Sequence, residues 1–436
     1  MRPTGLPPFL LARNGRFRHL LMTDHDSMTN LKTDQDIRVA THKLLAYCQA
    51  SDWAGYDPYD AVNSKLFAAV PLLNSRIPRL ALTQLLKRLP VNIRPLLAIP
   101  KTQNPKGLAL FLSAFTKLRK MGEEDGRELD ELIAGMIDRL AALRSTGVAY
   151  SCWGYSFPWQ TRTIIVPSGT PNLVCTTFAA NALLDAYDYC HDSRCLEMAA
   201  SATEYVLNEL YWTDGTRTSF NYPLPSVRSE VHNANFLAAA LLGRAYSHTG
   251  NKRFIGLALQ AARCSAGKQQ ADGSWYYGEA FSQRWIDNFH TGYNLCALRV
   301  LSRYASTTEF DAVIQRGFEF YRAHFFGADG VARYFHDRTY PIDIHSVAQS
   351  IITLATFKDT DPGSLQLARG VLTWAMTHMW DDRGYFYYRI LRSHTNRISY
   401  MRWSQAWMLL AMVTFQEASA PVSSESFHER LAEVAQ

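Results

Sequence analysis

Long apolar runs are missing from this 436-residue chain. The longest, such as Trp407 to Phe415, fall far short of the roughly 20 residues that span a bilayer, so no transmembrane helix is expected. The N-terminal stretch MRPTGLPPFLLARNGRFRH has only a short apolar run, Phe9 to Ala12, broken by Pro and Arg, which does not make a signal peptide. Charge of one sign is lacking too. The net charge of +6 is modest for this length and does not suggest a nucleic-acid partner. Metal signatures are absent: there is no CxxC, HxH or HExxH, and no cofactor or metal is expected. The seven cysteines (48, 152, 175, 190, 195, 264 and 296) are odd in number, and most sit in apolar helical patterns. They read as buried, reduced thiols of a cytoplasmic protein. Lysine is scarce, with 11 Lys against 34 Arg. Beyond residue 120 only Lys252, Lys268 and Lys358 remain. Arginine forks suit carboxylate or phosphate, although arginine-rich codon usage would give the same bias.

What the chain does have is a repeat, the feature to seek first. Asp-Gly turns stand at Gly215, Gly273 and Gly330, with a variant at Gly384, spaced 58, 57 and 54 residues apart. Each precedes an aromatic-rich extended stretch and then an apolar helix ending in a ring: Tyr187, Tyr246, Tyr304, Phe357 and Phe415. The apolar helices are expected at Leu173–Tyr187, Asn233–Tyr246, Asn288–Tyr304, His345–Phe357 and Trp403–Phe415, apolar on most sides and so buried. Amphipathic partners are expected at Cys195–Leu210, Arg253–Lys268, Phe310–Phe325 and Leu365–Trp380. Upstream, Asp36–Ala50, Gly107–Leu118 and Asp130–Arg144 complete about six hairpins. The pattern predicts an all-α fold, an (α/α)6 toroid over residues 34–419, with a loose leader (1–33) and a polar tail (420–436). Its outer faces look polar enough for a monomer.

The connections set the polarity of the toroid. Inner-to-outer links are short and outer-to-inner links run to roughly 20 residues, a length usually reserved for function. The long loops fall at one rim, where the inner helices begin, and are expected to form β-hairpins at stretches such as Trp275–Gly278 and Tyr385–Ile390. Helix N-termini make that rim favourable for an anion. His232, His290 and His345, with Asp287, Asp343, Tyr340 and Tyr400, are the candidates for acid–base work there. Asp57, Asp60, Arg162, Tyr222, Arg228, Asn233, Trp275, Asn288, Tyr293, Arg338, Arg397, Arg402 and Trp403 are candidates for binding. Asn172, Asn233, Asp287 and Asp343 also fit helix N-caps. The aromatic loops combine flat rings with polar partners, as a sugar groove requires, and also fit loops wedged against helix ends.

The six-hairpin pattern resembles the (α/α)-toroid superfamily of glycosidases, polysaccharide lyases and uronate epimerases. The C-terminal NRISYMRWSQAWMLLAM is similar to the end of the D-glucuronyl C5-epimerase catalytic domain, with Arg402-Trp403 matching its Arg-Trp pair. Over about residues 34–416, runs such as YDPYDAVNSKLF, WGYSFPWQTR and WIDNFHTGYNLCALRVL resemble uncharacterised proteins of bacterial exopolysaccharide and lipopolysaccharide gene clusters. Gln269 to Trp275 fits the QxxxGxW motif of squalene and hopene cyclases, but only once, and their DxDD motif is absent.

These readings imply an enzyme on an anionic, uronate-type oligo- or polysaccharide, free or lipid-linked. An arginine (Arg402, Arg338 or Arg228) would hold the carboxylate while Tyr or His moves the C5 proton, giving an epimerase or a lyase. A glycoside hydrolase using a carboxyl pair such as Asp287 and Asp343 is the alternative. A non-catalytic glycan-binding subunit follows, and a terpenoid cyclase comes last.

Overall fold

The computed structural model describes residues 32–420 apart from 71, 72, 74 and 123–125. All but the inner edges of the expected leader and tail lie outside the described residues.

The first outer helix, α1 (Asp34–Ala50), starts with a capping box. Thr33 accepts from the Asp36 amide at 3.1 Å, and Asp36 accepts from the Thr33 amide at 3.0 Å. A short helix, α2 (Arg76–Arg88), follows. Inner and outer helices then alternate: α3 (Pro105–Met121), α4 (Gly126–Ala142), α5 (Leu173–Cys190), α6 (Ser193–Tyr205), α7 (His232–Thr249) and α8 (Lys252–Ala266). They continue as α9 (Asn288–Tyr304), α10 (Asp311–His324), α11 (Ile344–Thr356), α12 (Ser364–His378) and α13 (Trp407–Ser419).

The odd-numbered helices from α3 to α13 form the inner ring, each touching the next, and α13 closes back on α3. The even-numbered helices from α4 to α12 pack outside, each on the inner helix before it. The sixth outer place belongs to α1, which packs on α13. The toroid is therefore closed by pairing the two ends of the described chain. Inner helices are buried on most sides, as their apolar composition dictates; in α11 even His345, Ser346, Gln349 and Ser350 are buried. The core runs continuously through both rings.

The Asp-Gly turns share one backbone geometry, with φ of 94° at Gly215, 90° at Gly273, 83° at Gly330 and 92° at Gly384. Three of them press against the next outer helix, where a Cβ would meet Arg316 O at 2.3 Å, Gly370 C at 3.0 Å and Lys43 O at 2.7 Å respectively. The repeat is thus a packing device as well as a turn.

Several expectations need correction. Asn233 is no cap: Val231 holds that position and Asn233 lies inside α7. Asn172, Asp287 and Asp343 do cap, accepting from the amides of Cys175, His290 and His345. Among the described residues Trp275–Gly278 is no regular strand: Gly278 makes an isolated bridge with Val231, while the Trp275 ring turns inward, donates to Ser265 O at 3.1 Å and fills the space over Gly317. Tyr385–Phe386 does pair, with Trp380–Asp381, while Arg389–Ile390 pairs with both Ile342–Asp343 and Thr395–Asn396. The segment after α1 holds α2, which the repeat does not foretell. Asn396 fastens its C-terminal end by donating to Lys87 O and Leu89 O.

Candidate active site

The long loops and the first turns of the inner helices enclose two adjoining hollows. The inner one has a volume of about 660 Å³ and the outer about 1040 Å³; both are bordered by Tyr59, Gln84, Trp159, Arg162, Tyr222, Tyr277 and Trp285. All six inner helices reach the inner hollow through their N-terminal ends. They bring Lys106, Val174, Asn233, His290 with Tyr293, His345, and Arg402 with Trp403.

Asp287 caps α9 and organises the site. Besides the His290 amide it accepts His290 Nδ1 at 2.8 Å and Trp285 Nε1 at 2.8 Å. A carboxylate only accepts, so Nδ1 of His290 carries a proton and Nε2 is left for another partner. The ring is one-fifth exposed, toward the hollow. Tyr277 stacks on Trp285 at 4.5 Å and packs against His290 at 4.6 Å, which fixes the imidazole plane.

Beside it, the Tyr293 hydroxyl and His345 Nε2 share a hydrogen bond of 2.6 Å, and either atom can be the donor. Burial, with Lys106 and Arg402 close by, holds His345 well below the usual imidazole range, so it is neutral. Burial likewise keeps Tyr293 well above the usual phenol range. Asn233 presents an amide oxygen that has no protein partner.

The last inner helix opens with a π turn, Met401–Ala406, a local widening common at functional sites. It sets Arg402 against Asp57 as a two-pronged pair of 2.7 and 2.8 Å, with Tyr155 at 4.8 Å from the guanidinium. It also sends Trp403 Nε1 to Asp343 at 2.9 Å. Basic side chains dominate the inner hollow: Arg88, Lys106, Arg162, Arg338 and Arg402, against the single acid Asp287.

The expected residues therefore divide. Asn233, Asp287, His290, Tyr293, His345, Arg162, Tyr222, Arg338, Arg402 and Trp403 meet at the inner hollow. Arg228 borders the outer one, lying 3.8 Å over Trp212. His232 is buried between Ser265 at 3.1 Å and Glu279 at 2.9 Å, by a smaller hollow of about 180 Å³. Asp343 lies under Arg389 and Trp403 with no exposure, Asp60 is paired with Arg94, and Asp57 is used by Arg402. Tyr400 is buried under Arg94 and against Tyr388, Asn288 bonds Ser350 and Tyr321, and Trp275 is core. Tyr340 is exposed outside the hollow, and Arg397 borders a separate one with Lys101 and Tyr47. Among the described residues no group of three His, Cys, Asp or Glu side chains converges as a metal site.

Lys106 was not foreseen. It is 3% exposed, and its ammonium sits 4.2 Å from the Phe178 ring centroid, 5.2 Å from Trp407 and 5.5 Å from Tyr293. Its signal in the sequence is a cation in Asn-Pro-Lys-Gly at the head of a helix, followed by ten residues, 107–116, that carry no charge. Gln84, Lys87 and Arg88 of α2, on the walls, have no such signal.

No family model matches this chain, and no curated protein matches it in sequence. Its fold does match solved structures. The cellobiose 2-epimerase of Bacillus thermoamylovorans B4167 superposes with a TM-score of 0.58 at 10% identity, covering 72% of this chain and 90% of that one. An unsaturated glucuronyl hydrolase from Streptococcus agalactiae gives 0.57 at 10% identity, covering 88% and 93%. A D-mannose isomerase gives 0.55 at 12%, covering 72% and 86%. At these identities the likeness concerns the fold alone, and the chain shares with them an (α/α)6 toroid.

Proposed function

We propose that the protein is a carbohydrate-active enzyme that moves the proton next to the carboxylate of a uronate-type sugar, as an epimerase or a lyase. One observation carries the proposal. The lining of the inner hollow holds two proton-handling groups, His290 on Asp287 and Tyr293 with His345, and among the described residues no uncommitted carboxylate.

In this reading His290 Nε2 takes the C5 proton, and the electron pair spreads into the carboxylate, whose charge the basic walls stabilise. Return of a proton to the opposite face, from the Tyr293 hydroxyl, gives the epimer. Loss of the 4-linked oxygen, with a proton delivered to it, gives the unsaturated product of a lyase. Names of fold relatives support a sugar substrate: one is a cellobiose 2-epimerase, another a D-mannose isomerase, and a third an unsaturated glucuronyl hydrolase. A place in surface polysaccharide assembly rests on the sequence resemblance alone. The hydrolase reading has less support, because Asp343 is sealed under Arg389 and Asp287 is occupied by His290 and Trp285.

The test is incubation in heavy water with a panel of uronate-containing polysaccharides, followed by NMR. Deuterium at C5 without chain shortening identifies an epimerase, and a new unsaturated uronate end identifies a lyase. Chain cleavage without exchange or unsaturation would instead favour a hydrolase.

A further inference from the structure

A buried lysine normally has an anion beside it, since an unpaired charge away from water is costly. Lys106 has none within hydrogen-bonding reach among the described residues. The carboxylate that acts on it, Asp57, is already held by Nε and Nη2 of Arg402. Asp287 is taken by His290 and Trp285. The ammonium instead has the faces of Phe178, Trp407 and Tyr293 around it, and Lys106 borders the inner hollow. Rings stabilise a cation but give its hydrogens no strong acceptor. Nor does the neighbouring thiol serve as an anion, for burial pushes Cys175 up to about 12. The fold thus sets a buried amine at the edge of a cavity with no counter-ion of its own among the described residues.

We propose that Lys106 receives the carboxylate of the reacting sugar, so that the substrate supplies the missing anion. This deepens the uronate reading above and rests on it. The placement suits the chemistry. Tyr293 is at once a wall of the Lys106 cage and the partner of His345, so a carboxylate on Lys106 brings the adjacent carbon beside the proton-handling hydroxyl. Arg402, held by Asp57 through Nε and Nη2, is then a fixed positive neighbour of that pair.

The groups acting on Lys106 are Arg402, Cys175 and Asp57, and Lys106 in turn acts on His345. Burial and Arg402 hold Lys106 well below the ordinary lysine range in the empty site, and an arriving carboxylate reverses that effect. Binding of a carboxylate therefore favours proton uptake by Lys106.

The experiment is calorimetric titration of wild type and Lys106→Met with glucuronate and galacturonate oligosaccharides and their neutral counterparts, at about pH 8, in buffers of different ionisation enthalpy. Wild type should bind a uronate ligand with proton uptake and prefer it to the neutral sugar. K106M should bind that ligand at least about tenfold more weakly, without uptake. It should also melt no lower than wild type, because an apolar chain of similar volume replaces a buried charge. Lys106→Gln serves as the second variant should K106M not fold. Equal uronate affinity and equal uptake in a folded variant would overturn the role of Lys106 and leave the uronate reading standing. Equal affinity of wild type for neutral and uronate sugars would overturn both. Borohydride trapping of a reducing sugar on Lys106 would replace ion pairing by imine formation.

Discussion

The frame around His290 does not depend on its ring: Asp287 caps the backbone amide, Trp285 donates to that cap, and Tyr277 stacks on Trp285. His290→Asn should therefore fold normally. If Nε2 is the base, kcat should fall by about 10²- to 10⁴-fold with KM little changed. Exchange kinetics on the substrate identified by NMR measure this, and an unaltered kcat would remove His290 from the reaction. The sequence made this residue visible by position, as a histidine in the first turn of an inner helix. The same rule also selected His232, which the fold sends to Ser265 and Glu279 instead. Spacing places a residue at a rim but does not say which way its side chain turns around the helix. Lys106 escaped for a related reason: by type it belongs in water, and only the closed inner ring shows that its helix leaves it nowhere else to go.

At the level of elements, the π turn at Met401–Ala406 and the loop carrying Asp57 depend on one another. Asp57→Ala would leave Arg402 buried and uncompensated, at a cost of about 3–5 kcal/mol. Urea melts should show it as a lowered midpoint with an unchanged slope. The turns make a second prediction. Gly273→Ala combines a left-handed φ of 90° with a Cβ 2.3 Å from Arg316 O, so it should cost about 1–3 kcal/mol. The same change at Gly215, where no atom lies within 4 Å of the added Cβ, should cost less. A matched pair of melts compares the two. Such turns and their helices were legible because the chain states them several times over, and agreement among copies substitutes for certainty about any one. The helix α2 occurs once and carries Pro78 and four basic residues, so no periodicity announces it, yet its Arg88 borders the inner hollow. Trp275 was misjudged because an aromatic stretch after a turn fits a strand as well as it fits a plug.

For the whole molecule, the seam between α1 and α13 decides whether the toroid stays shut. Ile37, Leu44 and Cys48 of α1 are buried, Gln416 donates to Thr41 at 2.8 Å, and the Gly384 turn rests on Lys43. Removing residues up to 50 should strip α13 of its outer partner and expose apolar surface. The expected result is loss of near-ultraviolet circular dichroism and binding of a hydrophobic dye, with helical signal partly retained. A truncated chain that still melts in one sharp transition would show that the seam is dispensable.

The seam also bears on how the protein comes into being. Of the described helices α1 is synthesised first, while its partner begins at Trp407. At about 5–20 residues per second, the intervening chain takes roughly 20–70 s to appear. For that interval the buried stripe of α1 has no place to dock, although the hairpins from α3 onward can assemble in order behind it. The oldest of the described helices is thus the last to be housed, and a ribosome that stalls late releases a ring with a gap where α13 belongs.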